Sequence, residues 1–286
     1  MRSGFVAVAG RPNVGKSTLV NALCGDKVAI TSTVPNTTRR RIFGVANGPD
    51  WQLVLADLPG FQRPMDPLTA KMQNTVDASF EDVDAVLLVV SARDRIGAGD
   101  RFVARRVFAL GVPVIIAVNK IDRLKHGHVA AQMKTAATLG DFHALHPVSA
   151  ITKDGIGALR DDLAFLLPEG PQYFPADQTT DLTTENRIAE VVREKALHLT
   201  RDEVPHAITV EIEEIGEKVV RAFVLVETES QKGILVGKKG AMIREIGLRA
   251  RPEVEQLLGH PVFLELVVKV RSNWRRDPKM LERLGL

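Results

Sequence analysis

The chain has 286 residues, 45% hydrophobic and 26% charged, with a formal net charge of +3 and a pI of about 9.0. That is long for one compact unit and comfortable for two. No apolar run approaches the roughly 20 residues of a bilayer-crossing helix, and "GFVAVAG" near the start is too short for a secretory core. A lone cysteine, Cys24, cannot make an internal disulfide, and the seven histidines show no zinc spacing, "HGH" at 126–128 reading as a solvated loop. The protein is therefore expected inside the cell, in a reducing compartment.

In chain order, "FVAVAG" reads as a buried strand, followed by a helix over Lys16–Cys24. "RIFGVAN" and "WQLVLAD", joined by "GPD", predict a hairpin at one side of a sheet. "VLLVV" (86–90) and "VPVIIAVNK" (112–120) are further buried strands, with helices expected near 67–80, 99–110, 128–139 and 155–166. Strands alternating with helices predict a wound, mostly parallel α/β sheet over residues 1–168. "PEGPQYFPADQTTD" breaks the pattern and reads as a linker at 169–181.

Residues 182–286 follow a different grammar. "TENRIAEVVREKALHLT" is an amphipathic helix. Two long strands follow around Gly216, then "GKKG" between helical stretches, then the strand "VFLELVVKV". The expected order is α-β-β-α-loop-α-β, a smaller α+β domain. From Asp181 onward there are 18 Lys+Arg against 18 Asp+Glu, but the bases gather at Lys232–Arg251 and again around Lys269, Arg271, Arg275 and Arg276. Local patches matter more to a polyanion than the sum.

"GRPNVGKST" (10–18) fits the phosphate-binding pattern G-x-x-x-x-G-K-[ST] between a strand and a helix. Gly10 and Gly15 let the backbone wrap phosphate oxygens, and the N–H groups of Asn13, Val14, Gly15, Ser17 and Thr18 are expected to line the cradle. Lys16 would bring a positive charge to the β- and γ-phosphates, and Ser17 a hydroxyl to Mg²⁺. "DLPGF" ends a strand, so Asp57 would hold the Mg²⁺ shell and Gly60 would offer its N–H to the γ-phosphate. "PNTTRR" offers Thr37 and Thr38 as a second hydroxyl ligand. Lys16, Thr38 and Gly60 are thus the catalytic candidates, and both loops would form a switch ordered by the γ-phosphate. "NKID" closes a buried strand: Asp122 can accept from guanine N1–H and N2–H₂, which adenine lacks. Asn119 would contact the base edge and hold the neighbouring loop, Lys120 would lie along the ring, and Ser149, Ala150 and Ile151 would present backbone N–H groups to guanine O6. GTP and GDP are the expected ligands.

Phe61 stands where many small GTPases carry a glutamine that orients water, and Gln62 is next to it. Slow intrinsic turnover is expected, on the order of 10⁻⁴–10⁻² s⁻¹, with acceleration left to a partner or a potassium ion. "GKKG" is not a second phosphate loop. Its two glycines would bring backbone close to a nucleic-acid chain, with Lys238, Lys239 and the nearby Arg244 neutralising phosphates beside Gly237 and Gly240. Trp274, among arginines, would either stack on a base or dock on the domain core.

Across nearly its whole length the chain resembles bacterial Era-type GTPases, on "GRPNVGKST", "PNTTR", "DLPG", "NKID" and "SAI" in front and "VGKKGAMIREIG" and "VKVRSNW" behind. The resemblance implies a guanine-nucleotide domain joined to a C-terminal KH domain, binding of the 3′ end of 16S ribosomal RNA, and action in assembly of the 30S subunit. Leu58, where the family often has threonine, and Ile151 in "SAI" depart mildly. A switch acting mainly on a protein or membrane partner is the alternative. The basic patches leave peripheral attachment to the cell membrane open, although no lipidation motif supports it.

Overall fold

The computed structural model describes residues 1–61 and 64–286. They form two compact units. The first comprises Met1–Ala29, Pro35–Pro64 and Lys71–Asp181; the second comprises Leu182–Leu286 together with Ile30–Val34 and Met65–Ala70.

The first unit is built on a six-stranded sheet in the order β2-β3-β1-β4-β5-β6. Its strands are β1 (Arg2–Ala9), β2 (Ile42–Asn47), β3 (Trp51–Asp57), β4 (Ala85–Ser91), β5 (Val114–Asn119) and β6 (Ala144–Val148). Only β2 runs antiparallel to its neighbour; the other pairings are parallel. Every residue of β4 and β5 is buried, as expected when helices cover both faces of a parallel sheet. Those helices are α1 (Lys16–Cys24), α2 (Pro67–Ala78, with its part from Lys71 onward in this unit), α3 (Ala98–Phe108), α4 (His126–Ala136) and α5 (Ile156–Leu166). The "HGH" run is the first turn of α4 rather than a loop, its three residues exposed. Strand β1 begins at Arg2, three residues before the apolar run, because it pairs with β3 from Arg2 opposite Trp51. Burial pushes the Cys24 thiol up to about 12, so it stays a protonated packing group.

The proline-rich stretch 169–181 is an ordered strap along the first unit. Gln52 Oε1 accepts from the N–H groups of Tyr173 and Phe174 (2.8 and 2.9 Å), and its Nε2 donates to Phe174 O (2.8 Å). Asn47 Nδ2 donates to Ala176 O (3.1 Å), and Gly44 bridges Thr180. These side-chain bonds satisfy a backbone that proline keeps out of any ladder.

The second unit carries α6 (Thr184–Leu199), α7 (Val204–Ala207), β7 (Thr209–Ile215), β8 (Val219–Val226), α8 (Glu229–Val236), α9 (Ala241–Leu258), β9 (Phe263–Val270) and α10 (Pro278–Arg283). The sheet order is β7-β8-β9, with β8 antiparallel to β7 and parallel to β9. Apart from the added α7 and α10, the order is the expected α-β-β-α-loop-α-β. Ile188 and Val192 of α6 and Ile246 and Val254 of α9 pack with Val220, Ala222 and Val224 of β8 in one core. Thr183 caps α6 by accepting from Asn186 N (3.2 Å), and a Thr228–Gln231 capping box starts α8.

Two stretches from the front of the sequence are held in this unit. The carboxylate of Glu194 accepts from Thr31 N (2.9 Å), and His198 Nε2 donates to Thr31 O (2.9 Å). Arg275 pairs with Asp66 at 2.5 Å. Glu194 is buried and also takes Lys195 Nζ (2.8 Å). Burial works against the charge on Lys195, but the carboxylates of Glu194 and Glu253 prevail and raise its pKa.

Trp274 is fully buried, and its indole N–H donates to Ala207 O (2.8 Å). Core docking, and not stacking on a base, is its role. Trp274→Ala should destabilise the second unit by about 3–5 kcal/mol in chemical denaturation, while Trp274→Phe, which keeps most of the volume but orphans one carbonyl, should cost less.

Candidate nucleotide site and nucleic-acid groove

The carboxyl ends of β1, β3, β5 and β6 supply the loops of the first site, where ligands meet sheets of this kind. After β1 the chain turns through Gly10–Gly15. At Gly10, φ is 155° and a Cβ would lie 2.6 Å from Val89 O; at Gly15, φ is 97° and a Cβ would strike the Asn119 amide. Asn13 adopts φ 63°. No side chain caps α1 at Gly15, so its first N–H groups face outward as an anion cradle. Lys16 is buried, its Nζ donating to Gly10 O and Arg11 O (both 3.2 Å). Burial lowers its pKa to about 8, opposed by the charge of Asp57.

Beside it, Ser17 Oγ donates to Asp57 Oδ2 (2.6 Å) and lies 3.0 Å from Thr38 Oγ1, which itself donates to Asp57 Oδ2 (3.2 Å). Asp57 is fully buried, burial raises its pKa, and its Oδ1 has no hydrogen-bond partner. One carboxylate and two hydroxyls, all oxygen, with a buried acceptor left over, suit a hard cation that takes its remaining ligands from phosphate and water. Among the described residues no group of three or more His, Cys, Asp or Glu offers a self-sufficient metal cage. The residues therefore fit Mg²⁺ held together with a polyphosphate. Gly60 lies against the cradle: a Cβ there would come within 2.9 Å of the Pro12 ring.

Asn119 ties three loops together. Its Nδ2 donates to Val14 O (3.1 Å), and its Oδ1 accepts from Lys120 N (2.8 Å) and Ala150 N (3.1 Å). It is only 1% exposed, and one N–H of its amide and its Oδ1 are engaged in holding the loops. Lys120 Nζ donates to Asn13 O, and burial lowers the Lys120 pKa. Ser149 is fully buried and its Oγ donates to Asp122 Oδ1 (2.9 Å), which fixes that carboxylate. Ala150 is nearly buried, while Ile151 is exposed, so only its backbone can address a ligand specifically.

Phe61 is 7% exposed, stacked on Phe80 at 5.7 Å, with the Arg106 guanidinium 5.5 Å from its ring centre. It belongs to the apolar cluster under the sheet, as does Leu58, which gives the Leu58 departure a packing reason. Gln62 lies outside the described residues.

In the second unit, Gly237 ends α8 with φ 69° and ψ 176°, and a Cβ there would lie 2.8 Å from Met242 Cβ. Gly240 (φ 79°) opens α9, and Lys239 takes φ 53°. Lys238 and Lys239 are exposed. A groove lies between α9, which this turn precedes, and β9, lined by Ile243, Arg244, Gly247, Leu248, Phe263 and Glu265 among others. Leu248 and Phe263 are exposed by 57% and 62%, and Arg251 also reaches the groove. An apolar floor with two arginines beside one glutamate is chemistry that suits a strand with unstacked bases.

Known proteins carry the same pair of sites. A profile described as a 50S ribosome-binding GTPase matches residues 5–120, and a KH domain profile matches 203–275. GTPase Era of Heliobacterium modesticaldum is 42% identical over 290 residues, covering 100% of this chain and 97% of that protein. GTPase Era of Mycobacterium tuberculosis is 44% identical over 294 residues, covering 99% and 98%. The chain belongs to the Era GTPase family. A solved Era in complex with MgGDPNP and nucleotides 1506–1542 of 16S ribosomal RNA is 38% identical, with a TM-score of 0.96 and coverage of 100% of this chain and 99% of that one. An Aquifex aeolicus Era variant bound to GDP and aluminium fluoride superposes with a TM-score of 0.93 at 38% identity, covering 100% and 99%. The fold is therefore that of Era, a P-loop GTPase sheet followed by a KH domain.

Against this Era frame, the sequence marked Arg251 only as part of a basic run, and Leu248, Phe263 and Leu266 of the groove went unmarked. The alternation of β9 and the period of α9 mark these positions, but exposed apolar residues are common enough to pass as ordinary. No described helix is long and apolar enough to cross a membrane.

Asn119→Ala should orphan Val14 O and Ala150 N and loosen all three loops. With about 1–3 kcal/mol at stake in an unsatisfied buried group, nucleotide affinity should fall by about 10-fold to 100-fold in fluorescent-nucleotide titration. An unchanged affinity would show that the loops hold without it.

Proposed function

We propose that this protein is a slow, Mg²⁺-dependent GTPase that binds the 3′-end region of 16S ribosomal RNA through its second unit and acts in assembly of the 30S subunit. Residues 1–168 serve the nucleotide and 182–286 the RNA, with 169–181 as the strap between them. The observation that supports this most directly is the coexistence, in one chain, of the Ser17–Thr38–Asp57 convergence beside a phosphate cradle and a GKKG turn leading into the helix that lines an apolar groove with Arg244 and Arg251. The 38%-identical Era solved with MgGDPNP and 16S nucleotides carries the same two partners.

In this reading the backbone from Asn13 to Thr18 wraps the phosphates and Lys16 neutralises them. A bound polyphosphate favours the protonated form of Lys16 that burial disfavours. Ser17, Thr38 and Asp57 hold Mg²⁺, which when bound draws charge from the phosphate oxygens. Gly60 N–H meets the γ-phosphate. Asp122, fixed by Ser149, accepts from the guanine edge; the backbone of Ala150 and Ile151 faces O6, and Lys120 covers the ring. Phe61, locked in the core, cannot orient water, so turnover is slow and depends on a partner or a potassium ion for acceleration. Gly237 and Gly240 admit an RNA backbone whose phosphates meet Lys238, Lys239 and Arg244. Thr38 and Gly60 each stand a few residues from a stretch that belongs to the second unit, so order imposed by the γ-phosphate reaches Thr31 and Asp66 along the chain itself.

The reading is tested at both sites. Lys238→Asp combined with Lys239→Asp should weaken binding of a 16S 3′-end oligonucleotide at least about tenfold and leave GTP affinity unchanged; RNA affinity that survives this reversal removes the loop from its role. Asp122→Asn should move preference from guanine to xanthine nucleotides in competition titrations, and retained GTP selectivity would take base recognition away from Asp122.

A further inference from the structure

The chain as a whole is nearly balanced, 38 Lys+Arg against 35 Asp+Glu, yet residues 101–140 hold seven Lys+Arg and a single acid, Asp122. That acid is held by Ser149 at the base-reading loop (2.9 Å) and does not neutralise the surface. The stretch contains most of α3 and all of α4, which lie over the same face of the sheet: Val103 and Val107 of α3 and Ala136 of α4 share one apolar cluster with β4 and β5. Gln132 of α4 donates to Asp94 O in the loop that leads into α3 (3.3 Å).

On this face Arg101, Arg105, Lys125 and Lys134 are exposed, and none has an ion-pair partner among the described residues. Arg106 is the base of α3 that pairs, with Asp77. The one acid of α3, Asp100, is buried and used up by Arg11 Nε (2.7 Å) and Gly97 N (2.9 Å). Between the arginines stands Phe102, 47% exposed. A helix C-terminus welcomes Arg105, but Arg101 lies one turn from the N-terminus, where a cation is unfavourable. Four exposed, unpaired bases spread along two helices over one face of the sheet, with an exposed aromatic ring among them, match a polyanion that also offers flat surface.

We infer that the α3–α4 face of the nucleotide unit is a second RNA contact. It takes the phosphate backbone of ribosomal RNA outside the strand in the GKKG groove, with Phe102 packed on a sugar or base. This rests on the reading that RNA is the partner, and adds that the GTPase unit touches it too. The contact positions and does not read sequence, because guanidinium and ammonium groups meet phosphates alike on every base.

The test uses the full chain carrying Arg101→Glu, Arg105→Glu and Lys134→Glu, residues outside the nucleotide site. Three probes separate the outcomes: a short single-stranded oligonucleotide of the 16S 3′ end, purified 30S subunits, and vesicles containing phosphatidylserine. Affinity for the subunits should fall about tenfold or more, and the slope of log K against log salt should shrink by about 2 to 3. Affinity for the oligonucleotide and GTP turnover should stay at wild-type values. Should the reversed chain fail to fold, the set Arg101→Gln, Arg105→Gln and Lys134→Gln is expected to show a smaller loss in the same direction. Unchanged subunit affinity overturns the inference, as does a loss confined to the vesicles, which would make the face a lipid contact. If the wild-type chain binds neither oligonucleotide nor subunit, RNA binding itself is refuted, a failure the GKKG variant reports separately.

Discussion

A lysine and an aspartate, both withdrawn from water, stand together where the sheet meets the first glycine loop. Burial drives the Lys16 pKa down and the Asp57 pKa up, so each disfavours its own charged form. Their attraction and the hydroxyls of Ser17 and Thr38 relieve part of this, but Asp57 Oδ1 still has no partner. Unsatisfied buried charge is costly unless something arrives to complete it. A phosphate chain with its cation supplies both missing halves at once, an anion for the lysine and a Lewis acid for the carboxylate. Ligand affinity and the folding of this corner are thus one balance of energies.

Two further loops meet at that corner: Thr38 donates to Asp57, and Gly60 lies against Pro12. Upstream of the first and downstream of the second, the chain enters segments packed in the second unit, where Glu194 and His198 hold Thr31 and Arg275 holds Asp66.

Much of this was legible in the sequence wherever a covalent spacing fixes a geometry. The phosphate loop, the acid closing β3 and the Asn-Lys-x-Asp run each sit at a strand end, and the buried strands announce themselves as unbroken apolar runs. What could not be read depends on non-local partners. The 169–181 segment looks like a linker because its composition is proline-rich and polar, yet the amides of Gln52 and Asn47, more than a hundred residues away, bind it down. Nothing adjacent to Trp274 reveals that its indole N–H finds Ala207 O. Asn119 shows its amide chemistry in the sequence, but that its bonds go to Val14, Lys120 and Ala150 follows only from the convergence of strands β1, β5 and β6.

The two glycine loops show why a shared composition need not mean a shared device. In the first, glycine is demanded by crowding within the protein: carbonyl Val89 O and the Asn119 amide occupy the space where Cβ atoms would go. The loop is thereby packed closely against its neighbours. In the second, only Gly237 is crowded, by Met242, while a Cβ at Gly240 would meet nothing and glycine serves there for its left-handed backbone. The outer side of that turn is open, with two lysines projecting from it. In the proposed reading, a closely packed cradle suits a compact polyphosphate of fixed shape, and an open turn followed by a helix that lines an apolar groove suits a continuing strand that enters and leaves, which is what a long polynucleotide requires and a mononucleotide does not.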